Sequence, residues 1–165
     1  MNIDLGSVIV GAIILIICIL PFILIGRSRR KREKHFLQSL SNIANQYNCQ
    51  INQHEIFGTF AIGMDKEHNA VFFCRQFKDE MIEQYVDLTK IKNCKVINTD
   101  RTLKSKDGHK KVTDKLELGF SPSVKDKPEV KWEFFNADVS FQPNGELLSM
   151  ENWSKTINNR IKLIH

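Results

Sequence analysis

The chain lacks the local signatures on which an enzymatic assignment is built. Its 165 residues contain no glycine-rich phosphate loop, no nucleophile beside a base at a recognisable spacing and no pair of carboxylates brought together by neighbouring positions. Asp79, Glu80 and Glu83 are clustered, but they fit the exposed face of a short connection. No catalytic residue is assigned, and no enzyme is expected. Cys-x-x-Cys pairs are also absent, the four cysteines falling at 18, 49, 74 and 94. An odd number of them beyond the first 34 residues argues against a disulfide framework and suits a reducing compartment. His35, His54, His68, His109 and His165 are scattered, so converging ligands at zinc spacing are missing. Cys49 and His54 come nearest, and a buried thiol and a surface imidazole account for them. Neither a metal nor a cofactor is expected.

A net excess of basic charge is missing from most of the chain as well. Of 24 basic and 19 acidic side chains, Arg27 to Lys34 holds six basic and one acidic, so residues 35–165 are left with 18 basic against 17 acidic. A nucleic-acid binder spreads positive charge over its fold, so nucleic acid is excluded as a partner.

Charge is absent altogether from Leu5 to Ile25, where 15 of 21 residues are Leu, Ile, Val or Phe. A helix of that length rises roughly 31 Å, close to the ~30 Å apolar thickness of a bilayer. Its insertion would gain roughly 4 to 9 kcal/mol at most. Asn2 and Asp4 precede the run, whereas Arg27, Arg29, Arg30, Lys31, Arg32 and Lys34 follow it. By the positive-inside rule this predicts a single-pass protein of the plasma (inner) membrane, with its N-terminus outside and its C-terminal domain cytoplasmic. The basic cluster is a candidate contact for the membrane surface. Basic residues follow the run rather than precede it, so a cleaved signal peptide is not expected. Ser7 and Gly11 form one small-xxx-small pair, a possible face for homo-oligomers.

The expected organisation is an N-terminal segment and transmembrane helix over 1–26, a basic juxtamembrane segment and amphipathic helix over 27–48, and a folded domain over 49–165. Phe36, Leu37, Leu40, Ile43, Ala44 and Tyr47 share one helical face. Strands are expected near 50–57, 59–64, 70–76, 82–88, 93–99, 111–120 and 129–135. Leu116, Leu118 and Phe120, and then Val130, Trp132 and Phe134, alternate with other residues at the period of a half-buried strand. Asp65 to Asn69, Asp107-Gly108 and Ser121 to Pro128 supply turn residues between them. No connection is long enough for a crossover helix, so all strands should be antiparallel. A last helix is predicted from a Ser149 cap, with Met150, Trp153, Ile157, Ile161 and Ile164 on its buried face and Leu148 and Trp153 as a hydrophobic staple. Trp153 is read as a core anchor.

Seven short antiparallel strands closed by one amphipathic helix resemble the pleckstrin-homology-like (PH-like) architecture. Ile62-Gly63-Met64-Asp65, followed by a turn and the apolar stretch Ala70 to Cys74, is similar to a strand end in small bacterial membrane-tethered proteins with such domains. The resemblance covers roughly residues 50–165 and implies an α+β domain, a seven-stranded, partly open barrel closed by the C-terminal helix. Lipid-binding members carry basic residues in and beside the first hairpin, but Asn52 to Ile62 has no Lys or Arg. A second basic stretch, Arg101, Lys104, Lys106, Lys110 and Lys111, is a candidate lipid contact at the tip of a hairpin. The expected function is a membrane-anchored binding or adaptor module for a protein partner at the inner surface. The alternatives are recognition of anionic lipid by the basic segments, or a self-associating scaffold.

Overall fold

The structure, a computed structural model, describes residues 5–165 except 79, 106, 107, 125, 140–142 and 144. Side chains are described over the same residues apart from 5–12, 21–25, 103–105 and 108–110. Helix α1 spans Leu5–Gln46, and α2 spans Glu146–Ile164. Between them run β1 (Gln53–Phe57), β2 (Phe60–Asp65), β3 (Ala70–Phe77), β4 (Glu80–Asp87), a 3-10 turn at Leu88–Lys90, β5 (Ile91–Ser105), β6 (Gly108–Pro122) and β7 (Val130–Asn136).

These strands do not make the expected barrel. They form two separate antiparallel sheets, one ordered β1-β2-β3-β4 and the other β5-β6-β7. The 3-10 turn, capped by Asp87 through its bond from the Thr89 amide, redirects the chain so that β5 leaves the first sheet instead of extending it. Neither β4 and β5 nor β1 and β7 are paired, and the partly open PH-like barrel is corrected to two sheets packed face to face.

The first sheet is covered on both faces. Phe60, Ile62, Met64, Val71 and Phe73 point toward the second sheet, where they meet Phe120, Trp132 and Phe134. Phe73 stacks on Trp132 at 5.3 Å between centroids, and Phe60 meets the edge of Phe134 at 4.6 Å. The alternate residues Ala61, Ala70, Phe72 and Cys74 face α1, which buries Phe36, Leu40, Ile43 and Ala44 against them. Tyr47 and Leu37, expected on that face, remain exposed.

Helix α2 joins the core between the sheets through Met150, Trp153, Ile157 and Ile161. Its polar groups then reach both sheets. Trp153 Nε1 donates to Glu55 Oε2 at 2.6 Å, Arg160 Nε donates to Asn69 Oδ1 at 2.6 Å, and Asn158 bonds Cys94. The helix begins earlier than its sequence suggests. Gly145, at φ 96°, occupies a left-handed conformation open to glycine and becomes the N-cap, and the Ser149 amide donates to its carbonyl. Ser149 is therefore buried inside the helix, and Leu148, 64% exposed, cannot act as a staple.

The membrane assignment is also corrected. Among the described residues no helix is long and apolar enough to cross a membrane. Helix α1 passes without a break through the basic residues to the face packed on the first sheet. The transmembrane helix, the single-pass topology and the inner-membrane location drawn from it are not supported.

Candidate functional site

Two sheets have four edge strands, β1, β4, β5 and β7. An edge presents unpaired backbone donors and acceptors, and folded proteins commonly plug or charge it. On β5 the plug is Asn158, whose Oδ1 accepts from the Cys94 amide at 2.9 Å while its Nδ2 donates to the Cys94 carbonyl at 2.6 Å. One side-chain amide thus satisfies both backbone groups of a strand residue. Ser154 Oγ donates to the same carbonyl at 3.1 Å. On β7 the Glu133 carbonyl accepts from Arg75 at 3.1 Å, and the buried guanidinium also pairs with the Glu133 carboxylate. Strand β1 is tied to α2 side chain to side chain, through Glu55 and Trp153, with no backbone group of the strand engaged by that bond.

No such plug reaches β4 among the described residues. It pairs with β3 from Glu80 to Asp87, and no strand pairs with its other edge. Met81 and Tyr85 lean toward α1, where Tyr85 stacks on Tyr47 at 3.9 Å between centroids. Ile82, opposite Arg75, is 41% exposed, and Glu80 and Glu83 are exposed on either side of it. A cleft of ≈ 450 Å³ lies between α2 and the start of β5 at Lys92, Ser123, Ile161 and His165, and another of ≈ 350 Å³ opens between the sheets at the far end of β4. Tyr85, Asp87, Ile91, Pro122 and Val130 line the latter. Burial raises the pKa of Asp87, but the bonds from Lys90 and Thr89 outweigh it and hold the carboxyl below its ordinary value. The mouth of the cleft therefore carries a carboxylate whose partner Lys90 is itself exposed.

The structure scatters the residues singled out from the sequence. Arg27, Arg29, Arg30, Lys31, Arg32 and Lys34 are all exposed along α1. Arg29 pairs with Glu33 at 3.1 Å, and Arg29 and Arg32 line a groove of ≈ 560 Å³ against Ile56, Phe57 and Gly58. The pair is exposed on both sides and adds little stability. The second cluster lies on the long β5–β6 ribbon. There Arg101 is engaged by Asp114 at 3.3 Å and Asp138 at 3.7 Å, and Lys111 is exposed. Lys106 and the side chains of Lys104 and Lys110 lie outside the described residues.

One group of described residues has the composition of a metal centre, and it is not the pair nearest in sequence. Cys49 stands beside Asp65 and His68, their donor atoms all within 4.8 Å of one another, while His54 is exposed on β1. The Asp65 side chain is 1% exposed. Its Oδ1 accepts from the amides of Glu67 (2.8 Å) and His68 (3.0 Å), and its Oδ2 accepts from the Gln50 amide and lies against His68 Nδ1, both at 2.7 Å. Burial alone would raise this pKa, but the bonds from Gln50, His68 and Glu67 outweigh it and hold it at about 2. Burial pushes the Cys49 thiol up, with the Asp65 charge adding to it, and burial pushes Cys74 and Cys94 up to about 12. None of the three is poised as a thiolate nucleophile.

Compared with protein-family models, curated proteins and solved structures, the chain matches none.

Proposed function

We propose that this protein is a non-catalytic binding module that takes an extended segment of a protein partner along β4. The observation that carries this reading is the contrast between edges. Side chains of the fold occupy backbone groups of Cys94 on β5 and Glu133 on β7, and Trp153 of α2 holds the Glu55 side chain of β1, whereas among the described residues no side chain bonds the outer backbone edge of β4. Strand addition would provide affinity through main-chain bonds, and the side chains flanking the edge would choose the segment. Exposed Glu80 and Glu83 on opposite faces of the strand, with Ile82 exposed beside them, favour a segment that carries basic residues and an apolar one. The raised thiol pKa values of Cys49, Cys74 and Cys94 support a non-catalytic role.

Selection of peptides from a random display library against the full chain, repeated on Glu80→Lys/Glu83→Lys, tests the proposal. Peptides that carry basic residues should be enriched and should lose at least about tenfold in affinity on the charge-reversed variant, about 1.4 kcal/mol. Equal enrichment on both proteins, or none on either, would reject the reading.

A further inference from the structure

We propose that Cys49, Asp65 and His68 form a zinc site that fastens the C-terminal end of α1 to the turn between β2 and β3. The three come from two segments that the fold brings together: Cys49 lies three residues beyond the end of α1, and Asp65 and His68 open and continue the turn. A thiolate, an imidazole and a carboxylate together suit zinc, since magnesium and calcium favour oxygen alone and copper(I) favours sulfur. Zinc bonds of about 2.3 Å to sulfur and about 2.0 to 2.1 Å to nitrogen and oxygen place tetrahedral donors roughly 3.3 to 3.6 Å apart. Donors already within 4.8 Å need to close by at most about 1.5 Å, while the His68 Nδ1 to Asp65 Oδ2 contact of 2.7 Å must open by about 0.6 Å. The imidazole can make that adjustment because it is 55% exposed, whereas Cys49 and Asp65 are fixed by burial.

Few existing bonds are lost. Asp65 keeps the amides of Gln50, Glu67 and His68, and only its contact with the His68 ring gives way to the ion. On the sulfur side, the weak Cys49 donation to the Tyr47 carbonyl at 3.4 Å is surrendered. The Cys49 S–H bond breaks as the S–Zn bond forms, and its proton leaves to solvent. Neutral His68 needs only to carry its proton on Nε2. One thiolate and one carboxylate then balance the two charges of the ion, and a water would complete the four ligands.

Cobalt(II) titration of the full chain, with zinc as competitor, tests the site. One equivalent of cobalt should produce the near-ultraviolet thiolate-to-cobalt band, zinc should abolish it, and Cys18→Ser should leave it intact. Cys49→Ser should remove the band. His68→Ala, a change at an exposed ring, should weaken cobalt affinity at least about tenfold. Absence of the band, its survival in Cys49→Ser, or unchanged affinity in His68→Ala would each overturn the proposal. Should Cys49→Ser fail to fold, the His68→Ala titration decides the matter by itself.

Discussion

Asp65→Asn should destabilise the metal-free protein by an amount that depends on pH. In the folded chain the Asp65 carboxyl titrates at about 2 against an ordinary 3.8, because four hydrogen bonds converge on its two oxygens. A depressed carboxyl stabilises the fold above its unfolded pKa, and that contribution is lost as pH falls toward its folded pKa. The difference is worth about 2.5 kcal/mol at pH 7 and about half of that at pH 3. The assay is urea denaturation of wild type and Asp65→Asn in the presence of a chelator, at several pH values between 7 and 3. The deficit of the variant should approach 2 to 3 kcal/mol at neutral pH, roughly 5 to 10 °C in Tm, and shrink on acidification. A deficit below about 0.5 kcal/mol at pH 7, or one that does not change down to pH 3, would refute the assignment of Asp65 as an ionised clasp between the α1–β1 connection and the β2–β3 turn.

Asn158→Ala leaves the Cys94 amide without its acceptor, so unfolding free energy should fall by about 1 to 3 kcal/mol and exchange at the Cys94 amide should quicken. Leu40→Ala empties a fully buried position between α1 and the first sheet and should cost about 2 to 5 kcal/mol in denaturant titrations. Gly119→Ala should change unfolding free energy by less than about 1 kcal/mol, because its methyl group would meet only the movable side-chain ends of Ile97 (2.7 Å) and Glu129 (3.3 Å).

Strand positions were legible in the sequence wherever one face meets solvent or a turn punctuates the chain. Leu116, Leu118 and Phe120 show the period of two because β6 is buried on one face only. Strand β2 is buried at all six positions, as α1 covers the face opposite the second sheet, so no alternation survives there and only its length and flanking turns mark it. The division into two sheets could not be read, because strand spacing looks the same whether β5 continues the first sheet or leaves it. That outcome rests on the Asp87-capped turn, whose sequence, Leu88-Thr89-Lys90, carries no distinctive signal. The start of α2 was misplaced because Ser149 is the stronger side-chain cap in sequence, while the left-handed Gly145 is decided by the chain path. The uncharged run to Ile25 outweighed the basic and amphipathic stretches after it, although all belong to one helix. Metal-like residues escaped notice for a plainer reason. Cys49 and His68 are 19 positions apart, and only the β2–β3 turn brings them together.

Amide hydrogen exchange on the full chain, free and saturated with a selected basic peptide, tests the role of β4 most directly. Residues 80–87 should slow on binding while 53–57 and 91–99 keep their rates. Protection appearing instead along the groove of Arg29 and Arg32, with β4 unchanged, would contradict strand addition at this edge.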